Sequence, residues 1–505
     1  MTSTVPGTSL RGGPEVDSTG GPLLSVQSPE NLLINGEWLS TGRVITVLDP
    51  ATGEAVGQVA DGTTADALKA LDAASNSQRT WAAVSVFERA RLFRAAELRL
   101  LEARDTIARS IVLESGKPLP QAAAEIDAGI EYWRWYAGQI GQHPGSYAPS
   151  SDGTFRVITN RKPIGPSLLI SPWNFPALTP LRKMAAALAA GCTVIIKSAA
   201  LTPMTSALLV AAVDGAGFPP GVVNLIHTSD SASLSRALMA DPRLRKISFT
   251  GSTGVGRTLV EQSAQNITST SMELGGNGAF IVLADADLEL AVDQAIGAKF
   301  RNSGQVCVAA NRFIVERSVA DEFNERFVER AKSLQVGHGL EPGTDLGPVI
   351  TGRERDRIVD AIGRSRAAGS KLLQGGDSIE GPGNFLQATV LDSVGQSDPL
   401  ADEEIFGPVA VTYRVDSVEE AVEFANRTAY GLAAYVFSAD VARALAVAEA
   451  LESGIVGLNR VGVTDPASPF GGMKASGIGR EGGGEAILEF MEEQYIAFAS
   501  AQPLA

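Results

Sequence analysis

Only two of the 505 residues are cysteines, and they sit in opposite settings. Cys192 lies between Ala189-Ala190-Gly191 and an apolar run at 193–196, which reads as core. Cys307 follows Phe300-Arg301-Asn302-Ser303-Gly304-Gln305-Val306, a polar, glycine-containing approach to a thiol. An isolated cysteine is more often a small buried apolar group than a nucleophile, so its neighbours must decide its role. Glu273, in Ser271-Met272-Glu273-Leu274-Gly275-Gly276, is a carboxylate hemmed in by apolar and glycine residues. Desolvation raises a carboxyl pKa and suits it to act as a base. Asn174 stands in Ser171-Pro172-Trp173-Asn174-Phe175-Pro176, where two prolines fix the backbone and leave a rigidly aimed amide that an oxyanion could use. A fourth feature, Thr250-Gly251-Ser252-Thr253-Gly254-Val255-Gly256, is a glycine-rich turn of the kind that lets backbone amides approach a pyrophosphate. It lacks strict G-x-G-x-x-G spacing, and an ordinary loop-to-helix turn fits it equally well. The three histidines, His143, His227 and His338, stand at no ligand spacing, which argues against a zinc site and a His-based triad.

These residues need elements to place them. Strands are expected at 34–39 and 44–48, and an amphipathic helix over 87–114 with Phe93, Ala96 and Leu100 on its apolar face. From residue 167 the pattern alternates: apolar run 167–170, helix 178–190, run 193–196, helix 202–216, run 222–226, then 246–249 leading into the glycine-rich turn. That alternation predicts parallel βαβ units and a dinucleotide-binding lobe. A second α/β lobe follows Glu273, with strands at 279–283, 312–315, 409–412 and 454–458. There is no internal repeat.

Composition narrows the partners. A net charge of -15 without a dense basic run disfavours nucleic acid. No stretch approaches the roughly 20 apolar residues of a membrane span. Two cysteines are too few for a disulfide framework and fit a reducing compartment, and residues 1–31 read as a flexible Ser/Thr/Gly/Pro tail without signal-peptide character, so a cytoplasmic location is expected.

Six segments, in order, carry a family resemblance: Pro172-Trp173-Asn174-Phe175-Pro176, Phe249-Thr250-Gly251-Ser252-Thr253, Glu273-Leu274-Gly275-Gly276, Gly304-Gln305-Val306-Cys307, Glu404-Ile405-Phe406-Gly407-Pro408 and Pro469-Phe470-Gly471-Gly472. The chain from about residue 34 to 495 resembles the aldehyde dehydrogenase superfamily. The resemblance implies an α/β fold of two Rossmann-like lobes plus an oligomerisation hairpin. The dinucleotide-binding domain would take 32–141 and 164–273, the catalytic domain 274–484, and the oligomerisation segments 142–163 and 485–505. It implies that Cys307 attacks an aldehyde, that Asn174 and the Cys307 backbone N–H hold the oxyanion, and that Glu273 activates the water that releases a free acid. NAD or NADP would take the hydride. Trp173, Gly251 and Ser252 match pyrophosphate-side positions, Lys197 the adenine-side ribose, Glu404 the nicotinamide ribose, and Phe406 the ring. A homodimer or homotetramer is implied as well.

The chain also departs from the pattern. Lys197-Ser198-Ala199-Ala200 replaces Lys-Pro-x-Glu, so Ala200 stands where a carboxylate would meet the adenosine 2'-hydroxyl, and Lys197 with Ser198 could hold a 2'-phosphate instead. NADP is therefore slightly favoured over NAD. Thr228 occupies a frequent glycine position, and Ala309 that of a second cysteine. Segments 300–311 and 454–480 resemble the succinic semialdehyde dehydrogenase branch, which implies that Arg182, Arg301 and Thr464 bind a distal substrate carboxylate; Arg460 departs from that branch's small residue. The bland alternatives are that Arg182 caps or solvates its helix beside Lys183 and that Arg301 orders the loop before Cys307. A broad-specificity aldehyde dehydrogenase is the runner-up, and a non-catalytic protein on the same fold the rival from another class.

Overall fold

The computed structural model describes residues 27–393 and 395–499. Most of the expected tail, and the end of the last oligomerisation segment, lie outside the described residues.

Two sheets organise the chain. In the first, the strands Val223–Ile226, Val194–Lys197, Ser167–Ile170, Lys246–Thr250 and Ser269–Glu273 run parallel side by side. All but the last two carry unbroken burial, as expected of strands covered by helices on both faces. Chain order reverses between Ser167–Ile170 and Lys246–Thr250, and a crevice opens at the carboxyl ends of strands at such a switch point. The Pro172-Trp173-Asn174 loop leaves the first of these strands and the Gly251-Ser252 turn leaves the second. The topology therefore delivers both motifs to one edge. The second sheet runs Lys371–Gln374, Thr389–Asp392, Val409–Val415, Ala310–Glu316, Gly278–Val282, Ala433–Phe437, Ile455–Leu458, antiparallel only at its first pair. Cys307 lies just ahead of Ala310–Glu316, after a 3-10 turn at Arg301–Gly304.

Several expectations change. The strand expected at 34–39 is a hairpin, Leu32–Ile34 with Glu37–Leu39, because Asn35 and Gly36 both take positive φ and turn the chain. The helix expected over 87–114 is two, Val86–Glu102 and Arg104–Ser115, separated at Ala103; Phe93, Ala96 and Leu100 are fully buried as their spacing required. The short strand Gly477–Ile478 crosses over to pair with Ser269–Glu273, so residues of the second stretch close the first sheet. A separate three-stranded sheet joins Ser146–Pro149, Phe155–Pro163 and Met491–Ala499, with Tyr495 opposite Thr159. Among the described residues, no helix is long and apolar enough to cross a membrane.

Candidate active site

A cavity of about 1000 Å3 lies between the lobes, and Asn174, Trp173, Arg182, Gly251, Ser252, Glu273, Arg301, Cys307, Glu404, Phe406 and Thr464 all line it. Trp173 and Thr464, 291 positions apart in the chain, thus share one wall.

Cys307 is partly buried, whereas Cys192 is fully buried and its thiol donates to the Phe490 carbonyl at 3.3 Å. Burial pushes the Cys307 thiol up to about 12; Arg182 and Arg301 pull it down, and Glu273 and Glu404 push it further up. Asn174 donates one amide N–H to the Gln305 carbonyl at 2.9 Å, which aims the side chain at the loop carrying the thiol and leaves the second N–H for a ligand. Glu273 is 3% exposed and its Oε2 has no hydrogen-bond partner. Burial, reinforced by Glu481, holds its carboxyl well above the ordinary range against the cations Arg182, Lys183 and Arg480. That is a carboxyl poised to exchange a proton rather than to stay permanently ionised.

The two arginines differ. Arg182 is buried, its Nη2 2.5 Å from Glu481 Oε2, with the guanidinium stacked 4.4 Å from the Phe470 ring centre. Lys183 Nζ lies 2.5 Å from the other oxygen of Glu481. Neither helix capping nor solvation describes Arg182. Arg301 is exposed, its guanidinium 5.8 Å from the Phe175 ring centre, with no carboxylate partner among the described residues. Thr464 is exposed on the same wall; Arg460 is outside it, with Nη2 held by the Gly462 carbonyl at 2.5 Å.

The residues present fit a dinucleotide. The helix Thr253–Ser263 starts without a side-chain cap, and Gly254 faces open space, so the first amides are available to an anion. Gly251 donates its N–H to the Glu273 carbonyl at 3.0 Å, tying this turn to the strand that carries Glu273. Glu404 accepts the Gly276 N–H at 3.0 Å, and burial raises its carboxyl to about 7. Phe406 meets Trp173 edge to face at 5.6 Å. Lys197, 6% exposed, has no hydrogen-bond or ionic partner among the described residues, and burial lowers it to about 8. A buried cation without a counter-charge fits a site for an anionic or hydroxylated ligand. Ser198 is different: it is fully buried and its hydroxyl lies 2.7 Å from His227 Nδ1, so it faces inward rather than towards a phosphate beside Lys197. Lys197, Ser198 and Ala200 are not on the cavity wall; Leu201 is the member of that segment that reaches it. Thr228 is buried, its hydroxyl accepting the Asp230 N–H at 3.1 Å.

Sequence reasoning missed Glu481, Lys117 and Glu125. Their signal was weak: Glu481 meets its buried partners from a distant segment, and Lys117 and Glu125, although eight residues apart, are ordinary charged residues whose contacts with the Asn174 loop no local pattern shows.

The chain matches the aldehyde dehydrogenase family over residues 38–496, and it belongs to that family. It is 43% identical to a succinate-semialdehyde dehydrogenase of Paenarthrobacter nicotinovorans over 87% of this chain and 98% of that one. It is 40% identical to an Escherichia coli succinate-semialdehyde dehydrogenase named for NADP(+), over 92% and 97%. A crystal structure of a Burkholderia pseudomallei succinate-semialdehyde dehydrogenase superposes with a TM-score of 0.92 at 38% identity, covering 95% of this chain and 99% of that one. Other similar proteins are named for glutarate semialdehyde and 3-sulfolactaldehyde, and one similar solved structure is a betaine aldehyde dehydrogenase with NAD+. The chain is an aldehyde dehydrogenase.

Proposed function

We propose that this protein oxidises a short aldehyde with an anionic far end, succinic semialdehyde first among them, to the carboxylate with NADP or NAD. The observation that carries the substrate class is Arg301: a guanidinium without a carboxylate partner, on the wall of the cavity that holds Cys307. A desolvated carboxylate calls for a charge-assisted donor, and guanidinium is the better one. Thr464 adds a hydroxyl on that wall, and Arg182 adds positive potential although Glu481 takes up its ion pairing. Similar proteins named for succinate semialdehyde, glutarate semialdehyde and 3-sulfolactaldehyde agree with an anion-tailed substrate.

In this reading the Cys307 sulfur, its proton surrendered, bonds to the aldehyde carbon. The oxyanion is held by the second Asn174 N–H and the Cys307 backbone N–H. The dinucleotide, when bound, accepts the hydride from that carbon. Glu273 then takes a proton from water attacking the thioester, and the acid leaves as the sulfur is freed. Trp173, Gly251, Ser252, Lys197, Glu404 and Phe406 hold the dinucleotide. Ala200 supports NADP at least as readily as NAD, since no carboxylate there repels a 2'-phosphate, although Ser198 gives that phosphate no hydroxyl. The reading extends to a cytoplasmic homodimer or homotetramer; two free thiols fit that compartment.

The test is Arg301→Ala. Losing one charged hydrogen bond costs about 1.5 to 3 kcal/mol, so kcat/KM for succinic semialdehyde should fall about tenfold or more while that for butanal changes by less than about threefold. Equal losses for both substrates would overturn the assignment. A broad-specificity reading is favoured by one observation, the Glu481 pairing of Arg182, which leaves only Arg301 of the two expected arginines without a carboxylate among the described residues.

A further inference from the structure

We infer that the buried Lys117–Glu125 ion pair is a positioning device for Asn174, setting where its amide stands relative to Cys307. The inference rests on the reading of Asn174 as oxyanion donor.

Both side chains are 1% exposed and in direct contact through Lys117 Nζ and Glu125 Oε2. Taking two charges out of water is costly, and replacing such a pair by neutral groups is often harmless to stability, so stability alone is a weak account of it. What else the pair touches is specific. Lys117 Nζ donates to the backbone carbonyl of Asn174 at 2.9 Å and stands 4.1 Å from the Phe175 ring centre. Glu125 uses its other oxygen to accept the N–H groups of Ala177 at 2.8 Å and Leu178 at 3.2 Å, the start of the helix Leu178–Ala190. The pair therefore clamps the stretch from the Asn174 carbonyl to the start of the helix that follows.

A second set of contacts completes the clamp from the thiol side. Asn302 and Ser303 hold φ of 51° and 53°, a conformation disfavoured for residues other than glycine. The Asn302 amide donates to the Asn174 carbonyl at 3.3 Å and to the Gln305 carbonyl at 3.1 Å, and Asn174 donates to that same Gln305 carbonyl. The Asn174 carbonyl thus receives Lys117 from one lobe and Asn302 from the other. Its side chain shares an acceptor with the loop that ends at Cys307. Lys117 has two donors committed, one to Glu125 and one to Asn174, and without it the carbonyl keeps only the longer contact. An error of about 1 Å in a donor can slow a reaction on the order of a hundredfold, so a loosened loop should be felt in the acylation rate more than in substrate affinity.

The experiment measures the first-turnover rate of NADPH formation with succinic semialdehyde, together with KM and dinucleotide binding by fluorescence. It compares Lys117→Met, Asn174→Ala and the two combined. Lys117→Met should slow the first turnover at least about tenfold with KM and dinucleotide affinity within about twofold, and should add less than about twofold in the Asn174→Ala background. If Lys117→Met folds poorly, Lys117→Met/Glu125→Gln replaces it, since that pair is neutral and Gln keeps an acceptor for Ala177 and Leu178. The rate defect should persist there while the melting temperature recovers. A defect of full size in the Asn174→Ala background, or a rate restored along with stability, would overturn the positioning role alone. An Asn174→Ala variant as fast as the unmodified protein would overturn the donor reading and the inference with it.

Discussion

At the residue scale the site is an arrangement of charges that oppose one another. Burial and Glu481 raise the Glu273 carboxyl well above its ordinary range, while Arg182 and Lys183 lower that of Glu481 although its own burial works against that. The Cys307 thiol at about 12 is inactive on its own, and cations on the wall, Arg182 above all, favour its ionised form. On the proposed mechanism Glu273→Gln removes the base but not the nucleophile, so rapid mixing should give one fast equivalent of NADPH per site followed by turnover slowed at least about a hundredfold. Cys307→Ala should give neither phase. In the unmodified protein the deacylation rate should climb as pH rises above the ordinary carboxylate range, because the raised carboxyl must lose its proton to act as base. A Glu273→Gln variant without the first fast phase would count against the deacylation role. That Cys307, Glu273 and Asn174 belong to one site was legible because each stands in a local context of proline or glycine. The Glu481 bridge to Arg182 and Lys183 was not, because its charges lie some 298 positions apart in the chain.

At the scale of elements, the βαβ alternation gave the parallel strands and the two turns that carry the site, since apolar runs bounded by turn residues survive in sequence as a pattern. The break at Ala103 left no such trace: it carries neither glycine nor proline, and both flanking helices keep an apolar face. The short second helix has a purpose in the fold. Its Glu114, fully buried, accepts from Met204 N–H at 2.6 Å, Thr205 N–H at 2.8 Å, the Thr205 hydroxyl at 2.5 Å and Ser110 at 3.2 Å. It caps the helix Pro203–Asp214, whose own Thr202 makes no side-chain cap. Burial outweighs those four donors and lifts the carboxyl to about 7 from an ordinary 4.5. The native state thus binds the proton more tightly than the unfolded chain does. The stability tied to that proton is complete below about pH 4.5 and is lost as pH rises through about 7. Glu114→Gln should therefore stabilise the protein at pH 8 relative to pH 5, by at most about 3 kcal/mol in denaturant midpoints. An equal effect at both values would show that the carboxyl is not shifted.

At the scale of the whole molecule, the three-stranded sheet stands apart from both lobes. The strand Met491–Ala499 is exposed along nearly its full length, with Tyr495 and Phe498 both more than half exposed and Tyr147 two-thirds exposed on the strand at the other edge of the sheet. Apolar rings on an open-edged strand are what association covers. Sedimentation should show a dimer or tetramer, and Phe498→Glu with Tyr147→Glu should shift it towards smaller species; an unmodified protein that sediments as a monomer would contradict this. The sequence suggested the pairing of these strands only through the family resemblance, since the register of Tyr495 on Thr159 spans 336 positions and no local pattern encodes it. On the proposed function, Cys307 and Arg301 on the wall of one cavity imply a preference for aldehydes with an anionic end. That preference is read most directly as the ratio of kcat/KM for succinic semialdehyde to that for butanal, with the unmodified protein and both dinucleotides. The account predicts a ratio of about ten or more with either dinucleotide, in line with one charged hydrogen bond of about 1.5 to 3 kcal/mol; equal values for the two aldehydes would contradict it.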